Sequence, residues 1–201
     1  NDLTDIEKNV LFFFSVNFRY HRLYFKQDNA FYQKSSLVRR EFAKSGSITY
    51  LLGGGFTGKV IVRIIRNKAF QAWKRAFEAE ETWKKLGFDY IPIEPILKKG
   101  NKLRAYQTRS GFWRVSTRVL GLSLASLSDV PVVRGYNHSQ QNYNQLLATR
   151  DIIIRGLKQL GIIYAAETPS HLHDNNFCVE LVDGRFRLYL IDFDQAVISE
   201  S

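Results

Sequence analysis

The sequence predicts an α+β fold, and three patterns carry that expectation. Short runs rich in β-branched and aromatic residues, separated by Gly- and Ser-bearing turns, cluster over 39–65 and return over 91–120 and 177–191. Two longer stretches, 69–86 and 143–160, repeat apolar residues near the helical period. The chain has 201 residues, 45% of them hydrophobic, with 15 Phe, 10 Tyr and 3 Trp. That is enough apolar surface to build a core without crosslinks, and it excludes a disordered chain. The single cysteine, Cys178, excludes a disulfide scaffold and a Cys-rich zinc site and suits a reducing compartment. Lys and Arg outnumber Asp and Glu by 29 to 19, so the expected partner is anionic.

In chain order, Thr4-Asp5-Ile6-Glu7 reads as a capping box opening a helix. The aromatic and basic region through Tyr32 reads as one or two helices whose rings fill a core. A stacking surface for nucleic acid is the alternative. Strands are expected over 39–43, 48–52 and 59–65, forming a three-stranded antiparallel meander. Its turns are Lys44-Ser45-Gly46-Ser47 and Gly53-Gly54-Gly55-Phe56-Thr57-Gly58.

The helix over 69–86 carries Phe70, Trp73, Phe77, Trp83 and Leu86 on one face, and Gly87 stops it. Glu80 falls within that apolar face. Either its carboxylate points inward and needs a cationic partner, or it reaches solvent at the stripe's edge. Further strands are expected over 91–97, 103–107 and 113–120, a break at 121–124, a loop over 129–142 and a second helix over 143–160. The chain closes with a hairpin, 177–182 and 186–191, around an Asp183-Gly184 turn. No stretch approaches the ~20 apolar residues that a membrane span needs.

Chemistry concentrates at the two ends of that hairpin. His171-Leu172-His173-Asp174-Asn175-Asn176 precedes it, and Leu190-Ile191-Asp192-Phe193-Asp194 follows. Its open end brings the two polar clusters side by side, so Asn176 and Asp192 converge although 16 positions apart. Asp and Asn offer hard oxygen donors, which suit magnesium bound to phosphates. The plain alternative is a polar loop beside a buried strand end.

With these residues in this order, the chain resembles the protein-kinase-like superfamily: meander, helix, strands, crossing segment, helix, catalytic loop, hairpin, metal-binding Asp. The resemblance spans roughly residues 39–196. It implies a two-lobed α+β protein-kinase-like fold with a reduced C-terminal lobe, since nine residues follow Asp192. The implied organisation is a helical segment over 1–38, an N-lobe over 39–124 and a reduced C-lobe over 125–201. The resemblance makes Asp192 and Asn176 the magnesium ligands and ATP the phosphoryl donor. Leu-Ile-Asp-Phe-Asp is similar to the ending found in aminoglycoside and sugar kinases, with Asp194 where protein kinases have Gly.

The catalytic loop departs from the protein-kinase form. His171 stands where the usual Asp would be, five before Asn176, whereas His173 matches the His of the phosphoinositide-kinase variant. A neutral imidazole at His173 takes a hydroxyl proton near pH 7, and Asp174 is the rival base. Val60-Ile61-Val62-Arg63 is similar to the phosphate-orienting Val-Ala-Ile-Lys strand, with Arg63 in the Lys position and Glu80, 17 residues on, as its ion-pair partner. Arg is not equivalent to Lys there, and Lys59 and Lys74 are alternatives. Thr117-Arg118-Val119-Leu120-Gly121 looks like the hinge that holds adenine through its backbone, with Val119 at its centre.

The expected activity is therefore transfer of the terminal phosphoryl group of ATP to a hydroxyl, with protein Ser/Thr favoured over lipid or sugar acceptors. The contrasting expectation is a pseudokinase, a binding module for an acidic protein or RNA. The expected location is cytoplasmic, including that of a secreted effector in a host cytoplasm.

Overall fold

A computed structural model describes residues 18–22, 36–42, 48–53, 60–118, 120, 122–124, 132–133, 136–137, 140–164 and 176–200. It is a mixed α+β structure whose described residues fall into two units. One is drawn from Phe14–Asn67 and Ile96–Val119, the other from Lys68–Pro95 and Leu120–Ser201.

The first unit is strand-rich. It holds β1 (Phe18–Arg22), β2 (Ser36–Phe42), β3 (Ile48–Gly53), β4 (Val60–Ile65), β5 (Lys98–Lys99), β6 (Lys102–Leu103), β7 (Ala105–Gln107) and β8 (Trp113–Arg118). Six of these form one antiparallel sheet in the order β1-β2-β3-β4-β8-β7. The expected meander is present as β2-β3-β4. Strand β1 lies where a helix was expected: it pairs antiparallel with β2, and Phe18 and Tyr20 alternate with Arg19 and His21, as residues on opposite faces of a strand do. The capping box at Thr4 lies outside the described residues.

Strand β4 has neighbours on both sides and reads Val-Ile-Val-Arg-Ile-Ile, β-branched almost throughout, as a central strand requires. Ile61, Val62 and Ile65 are buried there, and so is Arg63, opposite Thr49 on β3 and Val115 on β8. The expected strand over 103–107 is interrupted at Arg104. Its N–H donates to the Leu97 carbonyl (2.6 Å), and its carbonyl accepts from the Ser116 N–H (3.0 Å). The first closes the base of the β5–β6 hairpin, and the second, with the Leu97 N–H donating to the Ser116 carbonyl (2.9 Å), roots it on β8.

The second unit holds α1 (Asn67–Glu78), α2 (Glu80–Lys85), β9 (Leu122–Ser123), β10 (Val132–Val133), β11 (Tyr136–Asn137), α3 (Gln140–Gln159), β12 (Ile162–Ile163), β13 (Phe177–Val182), β14 (Arg185–Leu190) and β15 (Val197–Ile198). The single helix expected over 69–86 is two helices, broken at Ala79 (φ −80°, ψ 47°). The break frees the Ala76 carbonyl from its place in the helical ladder, and the buried Trp83 indole N–H donates to it instead (2.7 Å). Gly156 on α3 admits that indole: a Cβ there would lie 2.3 Å from Trp83 Cζ3.

Gly87 ends α2 as expected, at φ 97°. The Gly87 N–H donates to the Lys84 carbonyl and the Phe88 N–H to the Trp83 carbonyl, both 3.0 Å. The Phe88 ring packs edge-on against Trp83, which completes a Schellman cap.

Residues 91–97 do not form the continuous strand expected. Pro92 and Pro95 lack the N–H a ladder needs, and only Ile93 (parallel to Leu190) and Ile96 (antiparallel to Thr117) make bridges. The 121–124 break contains β9, which pairs with β13, and the 129–142 loop contains the β10–β11 pair and the start of α3. The closing hairpin is as expected, with Asp183 (φ 49°) and Gly184 (φ 76°) making a type I′ turn. Among the described residues no helix is long and apolar enough to cross a membrane.

Candidate functional site

The site is built at the open end of the β13–β14 hairpin. Phe177 pairs with Leu190, and one step beyond, the Ile191 N–H donates to the Asn176 carbonyl (2.8 Å). The ladder therefore ends with Asn176 beside the residue that precedes Asp192. Both Asn176 and Asp192 are half-buried. The strand register brings the backbones of these two residues close together, as the hairpin spacing predicts.

Asp192 sits at φ 66°, in the left-handed region that a non-glycine residue enters at a cost of roughly 1 kcal/mol. Three neighbours hold it there. The Tyr164 hydroxyl donates to the Asp192 carbonyl (2.7 Å) and lies against the Ile191 carbonyl as well. The Asp192 N–H donates to Glu94 Oε2 (3.4 Å). Phe193, 1% exposed, anchors the segment: it stacks on Trp73 (centroids 6.3 Å, 9° between planes) and meets Tyr164 edge-on (5.4 Å). The apolar ring is locked inside, and the carboxylates of Asp192 and Asp194 flank it at half-buried positions.

Glu94 is the residue the sequence reading missed. It is 2% exposed. Its N–H donates to the Leu190 carbonyl (2.8 Å), and its carbonyl accepts from the Trp73 indole (2.8 Å). The backbone of Glu94 is thus pinned to the end of β14 and to α1, which delivers its carboxylate to the Asp192 amide. A carboxylate within the apolar run Ile91-Pro92-Ile93-Glu94-Pro95-Ile96-Leu97 was the available signal, because burying a charge demands a purpose-built surrounding.

Glu80 does not have the inward position expected of it. It is exposed, at the first residue of α2. The break at Ala79 shifts the helical phase, so Trp83 is buried and Glu80 turns outward. Lys74 is half-buried on α1, and Thr117 and Leu120 of the expected hinge are buried. His171, His173, Asp174, Lys59, Val119, the Lys44–Ser47 turn and residues 54–58 of the glycine-rich turn lie outside the described residues.

Among the described residues no group of three or more His, Cys, Asp or Glu side chains is placed to hold a metal. One carboxylate and one amide oxygen, with phosphates completing the shell, is a donor set that suits magnesium. No protein-family model matches the chain, and no curated protein matches it.

Proposed function

We propose that the chain is a magnesium-dependent phosphotransferase with a two-lobed, protein-kinase-like architecture, moving the terminal phosphoryl group of ATP to a hydroxyl, with protein Ser/Thr the favoured acceptor. The observation that carries this reading is the left-handed Asp192 held from three sides next to Asn176. A strained backbone fixed by dedicated partners is characteristic of sites where side-chain direction matters. Asp192 and Asn176 are the residues to hold magnesium, which supplies charge neutralisation at the phosphate oxygens. His173 or Asp174 accepts the hydroxyl proton of the acceptor. Arg63 is the candidate to orient phosphate oxygens, since a guanidinium does so bidentately, with Lys59 the alternative cation and Val119 the backbone contact for adenine.

The test is nucleotide binding read separately from turnover. ATP with magnesium raises the melting temperature, because a ligand bound only by the folded chain stabilises it. Asp192→Ala removes the magnesium-dependent part. His173→Ala or Asp174→Ala, whichever carries the base, lowers turnover on the order of 10²–10⁴-fold. Absence of any shift with millimolar ATP and magnesium overturns the proposal, and binding without turnover assigns a non-catalytic nucleotide-binding module instead.

A further inference from the structure

The strand-rich unit has an unusual charge. The ranges Phe14–Asn67 and Ile96–Val119 contain seventeen Lys and Arg residues against two carboxylates, Asp28 and Glu41. From Pro95 to Ser128 no Asp or Glu occurs at all, while seven cations do. The β5–β6 hairpin places Lys99 directly opposite Lys102, and both are exposed, as are Lys98 and Arg109. Like charges facing each other across two strands destabilise a hairpin, and this stretch contains no acid to relieve them. The hairpin is nevertheless fixed in place, rooted through Leu97, Arg104 and Ser116.

An aromatic ring accompanies the cations. Tyr106 on β7 is 43% exposed and sits directly opposite Arg114 on β8. Next to it in register, Trp113 has its ring direction fixed by a hydrogen bond from its indole N–H to Asn67 Oδ1 (2.8 Å).

We propose that the β5–β8 face of this unit binds single-stranded nucleic acid, with Lys99, Lys102 and Arg109 meeting phosphates and Tyr106 stacking on a base. Exposed cations on an anchored hairpin and an exposed ring on a neighbouring strand are the two components of sequence-tolerant single-strand binding. A membrane surface fits less well: Tyr106 is the one large apolar side chain exposed among the described residues of this segment, so no apolar set is available for insertion. This inference does not rest on phosphotransfer.

The experiment is fluorescence anisotropy of the full chain with labelled U20 RNA and dT20 DNA across a KCl series. Binding to either oligonucleotide, weakening with salt, is expected. Lys99→Gln/Lys102→Gln/Arg109→Gln lowers the slope of log K against log salt by about 2, the value for three lost single-strand phosphates. Tyr106→Ala weakens binding about five- to hundred-fold and leaves the slope unchanged. Lys84→Gln/Lys85→Gln/Lys158→Gln, on the other unit, changes neither. Melting temperatures confirm that all variants fold.

Four results would each overturn the proposal. The first is no binding to either oligonucleotide at 50 mM KCl. The second is an equal loss in the Lys84/Lys85/Lys158 variant. The third is polyglutamate binding as tightly as the oligonucleotides and indifferent to Tyr106→Ala, which would assign an acidic protein partner. The fourth is preferential binding to phosphatidylserine vesicles.

Discussion

The two units differ in charge as much as in architecture. The strand-rich unit carries seventeen basic against two acidic residues, whereas the rest of the chain carries twelve basic against seventeen acidic. The net charge of +10 is thus the difference between a strongly cationic part and a mildly anionic one. The lesson is that whole-chain charge averages over the two parts, and only the division of the chain shows where the excess of cations sits.

The largest effect is expected at Glu94. If the second unit is built around Asp192, Glu94→Gln weakens the acceptor that holds its amide. The magnesium concentration needed for half-maximal ATP-dependent stabilisation then rises about 10- to 100-fold, as for other residues that orient metal ligands. A magnesium titration by thermal shift reads this directly. Oligonucleotide affinity of the strand-rich unit stays at the wild-type value, and a parallel loss there would mean that the two units do not divide the work.

A smaller effect is expected at Gly156. The Cβ of Gly156→Ala would lie 2.3 Å from Trp83 Cζ3, 2.7 Å from Cη2 and 3.0 Å from Leu86 Cδ1. Overpacking against a buried indole costs roughly 1–3 kcal/mol, to be read by urea denaturation. Hydrogen exchange resolves its location: protection falls on α2 and α3 and stays unchanged on β4 and β8.

The smallest effect is at Tyr90. Its hydroxyl accepts from the Leu188 N–H (2.8 Å) and donates to the Leu188 carbonyl (3.1 Å). Burial is the main cause that pushes this phenol up to about 12. The unfolded chain releases that proton near pH 10, so between pH 10 and 12 the unfolded form binds fewer protons and stability falls as pH rises. Tyr90→Phe costs about 1 kcal/mol at neutral pH and removes Tyr90's share of that alkaline loss. Urea midpoints at pH 9 and pH 11 for both proteins check it.

What was legible in the sequence was local. Asp183-Gly184 demanded a tight hairpin turn, Gly87 a helix end, and Val60–Ile65 a strand, because each is dictated by the residues themselves. The backbone of Asn176 lying beside Ile191, one residue before Asp192, followed from that hairpin. What was not legible depended on distant partners. The break at Ala79 goes with the Trp83 bond to the Ala76 carbonyl and the close approach of that indole to Gly156, and no property of Ala79 announces it. The same break explains why Glu80, which spacing left equally placed between inside and outside, lies outside. Glu94 acquired its place from β14 and Trp73, neither near it in sequence.

The Tyr90 hydroxyl also bears on how this chain behaves in company. Strand β14 is an outer strand of its sheet, and outer strands present unpaired amides and carbonyls that recruit strands from other molecules. Along the second half of β14 the outward groups have partners: those of Leu188 in the Tyr90 hydroxyl, the Leu190 N–H in the Pro92 carbonyl (2.9 Å), and the Leu190 carbonyl in the Glu94 N–H. A side chain and a proline-broken segment do the work of a neighbouring strand, and the segment that ends in Asp192 is thereby shielded from edge-to-edge aggregation.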